Sequence, residues 1–140
     1  MNQRPIALKV LRANLVPRDP RFAERFRREA ELAAQIQAPG IAAIHGFGEC
    51  DGQMYLAMQL IEGLTLAEVI RDLSALYALA GAGHETRAFV RQAVRLTIHL
   101  ARALAAIHQT GMVHRDVKPS NIILSGAIDV ASALERSPVL

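Results

Sequence analysis

The chain has 140 residues, 51% of them hydrophobic, enough to build one domain with a real core and too apolar for a disordered chain. The net charge is only +3, from 16 basic and 13 acidic residues, and aromatics are 4%, so the interleaved Arg and aromatic pattern of a nucleic-acid binder is missing and no nucleic acid is expected as a partner. A single cysteine, Cys50, excludes an internal disulfide and a cysteine-cluster metal site. No apolar run approaches the roughly 18 residues of a membrane span, and Met1-Asn2-Gln3-Arg4-Pro5 does not open a secretory signal, so the expected location is cytoplasmic.

Ile6 to Leu11 alternate as a strand, with Ala7, Lys9 and Leu11 on one face and Ile6, Leu8 and Val10 on the other. A loop over 14–20 leads into a helix from Pro20, with Asp19 as its cap, that Ala38-Pro39-Gly40 stops at about Gln37. Two strands follow near Ile41 to Gly48 and Met54 to Ile61, joined by a turn over Glu49 to Gly52. Glu62-Gly63 breaks the second strand. Thr65 then caps a helix from Leu66 to about Leu76, with Glu68 at the capping-box position. Ala78 to Gly83 reads as a loop. A long helix covers roughly Glu85 to Gln109, its wet face marked by Arg91, Arg95, His99 and Arg102, its buried face by Phe89, Ala93, Leu96, Leu100, Leu104 and Ile107. After Gly111 comes a polar loop and a short apolar run, Ile122-Ile123-Leu124.

Two features bear on chemistry. Fourteen of the sixteen basic residues are Arg, and the two lysines are Lys9 and Lys118. Lysine is a compact point charge and arginine a wide planar fork, so a tight phosphate site can demand the first and refuse the second. The helix from Pro20 has apolar residues at Phe22, Phe26, Ala33 and Ile36, and the spacing from Phe26 to Ala33 passes through Glu29. Either Glu29 is buried and met by a partner, for which Lys9 is suited, or the helix turns a little and Glu29 reaches solvent beside Glu31.

Residues 114 to 121 read His114-Arg115-Asp116-Val117-Lys118-Pro119-Ser120-Asn121. This string resembles the catalytic loop of protein kinases, H-R-D-x-x-x-x-N. Ile6-Ala7-Leu8-Lys9 looks like the V-A-I-K strand of that family, Phe26-Arg27-Arg28-Glu29-Ala30 like the start of its C-helix, and Met54 to Leu66 like the strand and hinge between its lobes. The four occur in family order and cover residues 4 to about 124. Lys118, two residues past Asp116, points to the Ser/Thr branch, and the whole resembles the bacterial Ser/Thr kinases that are similar to eukaryotic ones.

The resemblance implies an α+β, protein-kinase-like bilobal fold that is incomplete, with 1–61 a remnant of the small lobe and 62–140 the start of the large lobe. It implies ATP and Mg2+ as cofactors and a protein substrate offering Ser or Thr. Lys9 would contact the α- and β-phosphates and be held by Glu29; Asp116 would orient and deprotonate the substrate hydroxyl; Lys118 would neutralise charge on the transferring phosphoryl group; Asn121 would hold magnesium. Ala7 above and Ile123 below would enclose the adenine, Met58 would be the gatekeeper, and the carbonyl of Gln59 and N–H of Ile61 would bind the adenine edge. Without those motifs, Met58, Ile61 and Ile123 would read as plain core residues.

Two family parts do not appear. No G-x-G-x-x-G precedes Lys9, and no D-F-G follows Asn121; Ile128-Asp129-Val130-Ala131 only echoes it, which makes Asp129 the sequence's candidate for a second magnesium ligand. Apolar surface is therefore expected on the sheet and under the long helix, together with reliance on a partner chain or flanking segments. A pseudokinase-like binding module, or an inactive gene fragment, is the alternative to a working kinase segment. A small-molecule phosphotransferase is disfavoured by Arg115 and Lys118, since the loop of that class resembles H-G-D.

Overall fold

The structure, a computed structural model, describes residues 5–11, 20–80, 86–133 and 138–140. The loop expected over 14–19 with its cap Asp19, and the part of the Ala78–Gly83 loop beyond Ala80, lie outside the described residues. The chain divides into two compact units, the first made of residues 1–37 and 42–60, the second of 38–41 and 61–140.

The first unit is a three-stranded antiparallel sheet and one helix. Strand β1 (Ile6–Val10) and strand β2 (Ile44–Cys50) both pair with β3 (Gln53–Gln59), giving the order β1-β3-β2. The β2–β3 hairpin closes through Asp51 and Gly52, both at positive φ (50° and 72°), directly after the Cys50–Gln53 pair. Two positive φ values define the turn whose twist matches that of the strands, and Asp-Gly is the dipeptide that adopts it most readily. The turn expected over four residues is thus a two-residue one. Helix α1 (Pro20–Ala34) packs mainly on β2 and ends three residues earlier than its apolar pattern suggests. Its last turn tightens, with Gln35 and Ile36 donating to the carbonyls three residues back.

The covered stripe of α1 runs through Phe22, Phe26, Ala30 and Ala33, with Ala30 only 5% exposed, and Glu29 is exposed. Of the two orientations the sequence leaves open, the helix adopts the one that carries Glu29 to solvent. The small side chain of Ala30 takes the place against the sheet, so no carboxylate is desolvated.

The second unit carries β4 (Gly63–Thr65), α2 (Leu66–Ala80), α3 (Thr86–Gln109), β5 (Ile123–Ser125), the short α4 (Val130–Ala133) and β6 (Pro138–Val139). The order β4-β5-β6 forms a second small antiparallel sheet. Its core is Val69 (1% exposed), Leu124, Ala127 and Ala133, with Leu64, Leu73 and Leu96 packed against it. Burying a valine this completely contributes on the order of 1.5–3 kcal/mol. On α3 the buried residues are Ala103 and Ile107, flanked by half-buried Leu96, Leu100 and Leu104. Phe89 and Ala93, expected on that face, are exposed, as are Val90, Val94 and Ile98. In the first unit Ile6, Leu8 and Val10 are likewise 45 to 58% exposed, so open apolar surface lies on the sheet and on the long helix as expected.

Candidate active site

In the first unit, β1 aligns with β3 so that Ala7 lies opposite Met58 and Lys9 opposite Leu56. Residues directly opposite on paired strands share a face, and alternate residues along a strand return to it. Ala7, Lys9, Leu56 and Met58 therefore line one face of the sheet. Lys9 is exposed there. The N–H of Gln59 donates to the Ala43 carbonyl at 2.8 Å, and its side-chain oxygen accepts the Ala43 N–H at 3.4 Å, which fixes the end of β3 against the chain entering β2. Gln59 is exposed; Ile61, assigned to the second unit, is half-buried.

In the second unit the loop after α3 is organised around Asp116. The N–H of Asp116 donates to the carbonyl of His114 at 2.8 Å, which makes a three-residue turn with Arg115 at its apex. Arg115 has φ 61°. A turn of this hand is rare and strained, and a non-glycine residue in it costs on the order of 1–2 kcal/mol. Such strain persists where the surroundings over-determine the backbone. Its effect here is to turn the chain sharply one residue before the carboxylate.

Both oxygens of that carboxylate are engaged. Lys118 Nζ lies 2.8 Å from Oδ1. The amide nitrogen of Asn121 donates to Oδ2 at 2.8 Å and to the backbone carbonyl of Asp116, also at 2.8 Å. Asn121 reaches back because Pro119–Asn121 form a 3-10 turn, with Pro119 at its first position, where a missing N–H costs nothing. Asp116 and Lys118 side chains are each about half exposed (55% and 51%), so the pair stands open to a ligand and contributes little to stability.

The loop is held from behind. Ile122 and Leu124 are each 3% exposed. The Ile122 carbonyl accepts from the N–H of Leu66, the first residue of α2, and β5 pairs with β4, Thr65 opposite Ile123 and Leu64 opposite Leu124. The start of α2 is a full capping box: Glu68 N–H donates to Thr65 Oγ1 at 3.2 Å, while the Thr65 hydroxyl and N–H both donate to Glu68 Oε2 at 2.7 Å. These bonds, the hydroxyl's first, hold the Glu68 carboxyl below its ordinary range, and Arg71 adds to the effect. Gly63, which the sequence shows only as a strand breaker, has a specific duty. A Cβ on it would sit 2.2 Å from the Leu124 carbonyl oxygen, so only glycine lets β4 approach β5 this closely.

Asp129 has a local role. Its Oδ1 accepts the N–H of Ser132 at 2.7 Å, and Ser132 Oγ accepts the Asp129 N–H at 3.2 Å, which caps α4 from both sides. Beyond it, β6 is an element the sequence pattern did not reveal. It pairs antiparallel with β5, Val139 opposite Ile123 and Pro138 opposite Leu124, and Pro138 is buried. Among the described residues no group of three or more His, Cys, Asp or Glu side chains could hold a metal ion. Magnesium does not require one, since it keeps several waters and takes one or two protein oxygens plus phosphates. Asn121 fits that demand: its nitrogen donates to Asp116 twice, so its amide oxygen could serve a metal.

Comparison with known proteins agrees with this geometry. Residues 1–131 match the family described as protein kinase domain. The serine/threonine-protein kinases PknH and PknE of Mycobacterium tuberculosis are 38% and 41% identical over 120 and 125 residues, covering 86% and 89% of this chain. PknB of Mycobacterium leprae is 36% identical over 126 residues. The crystal structure of the Mycobacterium tuberculosis PknI kinase domain superposes with a TM-score of 0.68 at 31% identity, over 96% of this chain and 47% of that one. The chain spans 17 to 20% of the length of the first two relatives and 18% of the third. No helix among the described residues is long and apolar enough to cross a membrane. On these matches, the chain belongs to the protein kinase family, on its serine/threonine branch.

Proposed function

We propose that this chain is the segment of an ATP-dependent protein serine/threonine kinase that runs from the phosphate-anchoring lysine to the catalytic loop. The single observation that carries the reading is the carboxylate of Asp116, fixed at one oxygen by Lys118 and at the other by Asn121, each at 2.8 Å, on an exposed loop. An aspartate held in one orientation can accept the proton of a Ser or Thr hydroxyl as that oxygen attacks the γ-phosphorus. Little covalent help is needed in this reaction, and positioning is the main contribution. Lys118 is already beside Asp116, so its ammonium can turn to the charge on the transferring group.

In the first unit, Lys9 would hold the α- and β-phosphates and Glu29 would steady it; Ala7, on the same sheet face as Met58, would lie against the adenine. Met58 would limit the depth of that pocket. The N–H of Gln59 is already given to Ala43, and its proposed role needs only the carbonyl. In the second unit, Ile61 would donate its N–H to the adenine edge and Ile123 would offer an apolar side chain to the adenine. Asn121 would hold Mg2+, which would supply charge neutralisation at the phosphates. Asp129 is the other metal ligand the sequence offers; its capping of α4 leaves the proposal resting on Asn121. We place the site of action in the cytoplasm and a protein Ser or Thr hydroxyl as the acceptor.

A second reading, a nucleotide- or partner-binding module without transfer, is favoured by one observation: Lys9 and Glu29 are both exposed. Incubation with Mg2+, γ-labelled ATP and a generic protein separates the two. Transfer of label that disappears in Asp116→Asn is the expected result; equal background in both chains contradicts the catalytic reading.

A further inference from the structure

The β2–β3 ladder ends irregularly beside Gln59. Its register slips at His45, between the Ile44–Met58 and Gly46–Ala57 pairs, so β2 carries one residue more than β3 there. A bulge of this kind bends its strand and marks a place where regular pairing stops. One step beyond the Ile44–Met58 pair, Ala43 meets Gln59. Facing residues in a hydrogen-bonded antiparallel pair exchange two bonds, each N–H going to the other's backbone carbonyl. Here the first bond is made: the Gln59 N–H donates to the Ala43 carbonyl at 2.8 Å. The return bond is diverted. The Ala43 N–H donates to the side-chain Oε1 of Gln59 at 3.4 Å.

The side-chain amide of Gln59 thus stands in for the backbone carbonyl of the same residue. A long, exposed, neutral bond adds little to stability, so its consequence lies in which acceptor the Ala43 N–H occupies. A carbonyl closed into a ladder is aimed at the neighbouring strand, whereas one released from it is open to a ligand at the strand's end. We propose that Gln59 is a positioning residue whose side chain takes up the Ala43 N–H and so reserves its own backbone carbonyl for the exocyclic amine of adenine. This role rests on the nucleotide site proposed above, and it gives the side chain a duty at a position where only the backbone would touch the ligand. It also dictates which substitutions serve. Glu reaches as far and accepts a hydrogen bond; Met has a similar length but only a weakly accepting sulfur, so the Ala43 N–H turns to the backbone carbonyl instead.

The probes are ATP and purine riboside triphosphate, which lacks the exocyclic amine, each with Mg2+ and titrated by calorimetry into the chain, Gln59→Met and Gln59→Glu. The unaltered chain is expected to prefer ATP by about fivefold, the scale of one net hydrogen bond. Gln59→Met is expected to lose that preference by weakening ATP alone, with affinity for the amine-free nucleotide unchanged, whereas Gln59→Glu is expected to keep it. A preference that survives Gln59→Met, an equal loss of both nucleotides in that variant, or a preference lost in Gln59→Glu as well would overturn the proposal while leaving ATP binding by the chain itself in place. Binding of neither nucleotide by the unaltered chain, or equal binding of both, would instead overturn the adenine-edge reading, and this role with it.

Discussion

The amide nitrogen of Asn121 donates both to the Asp116 carboxylate and to the Asp116 backbone carbonyl, at 2.8 Å each. One side chain thus fixes the position and the orientation of the proposed base, while its own oxygen is left for the proposed magnesium. Asn121→Ala is expected to lower phosphoryl transfer about a hundredfold, the scale on which small misplacement acts. Global stability is expected to change by only about 1 kcal/mol, because the bonds lie on an exposed loop. A chemical-denaturation curve run beside the transfer assay checks both halves.

The cap of α2 carries a pH signature. Glu68 titrates below its ordinary value because the Thr65 hydroxyl and N–H donate to its carboxylate. A carboxyl depressed in the folded state contributes stability above its unfolded value, near 4.5, and that contribution is lost as pH falls through the lower folded value. Melting temperatures of the chain and of Glu68→Gln are therefore expected to differ at pH 6 and to converge under more acid conditions. Thr65→Ala, which removes the cap oxygen, is expected to cost about 1 kcal/mol at neutral pH.

Gly63→Ala tests the support behind the loop. The added Cβ would meet the Leu124 carbonyl oxygen at 2.2 Å, and that atom belongs to backbone that cannot swing aside. The expected loss is about 2–4 kcal/mol, through strain and the opening of the β4–β5 pair. Gly46→Ala, where a Cβ meets nothing within 4 Å, is the control and is expected to stay within about 1 kcal/mol.

Asp129 is engaged in the cap of α4, which bears on the metal. Mn2+ binding is followed by the loss of the free-ion EPR signal as the chain is titrated. Asp129→Asn is expected to leave Mn2+ affinity unchanged and to loosen α4, whose N-terminus it caps.

The parts legible in the sequence are those built from neighbours. Thr65 and Glu68 announce their cap because both partners lie within one helical turn, and a turn within Glu49 to Gly52 is readable for the same reason, though not its tightening to Asp51-Gly52. The loop of His114 to Asn121 is readable as a resemblance, but an arginine gives no sign of the positive φ that the sharp reversal between His114 and Asp116 requires of Arg115. The burial of α1 was ambiguous because alanine carries so little hydrophobic signal: Ala30, not the line through Glu29, meets the sheet. Phe89 and Ala93 were misjudged because α3 is apolar on two sides, and periodicity cannot say which one the unit covers. Strands β4 and β6 were missed, since three and two residues carry no period and their pairing with β5 is non-local.

The central claim is the proposed assignment of Lys9 to the phosphates of ATP and of Asn121 to Mg2+. Its most direct test is calorimetric titration of ATP into the chain, with and without Mg2+, for Lys9→Ala, Asn121→Ala and the double variant. The account predicts saturable binding, weaker in each single variant. The Lys9 effect should persist without Mg2+, whereas the Asn121 effect should vanish without it. Absence of saturable binding, or an affinity for MgATP that neither substitution changes, would contradict it.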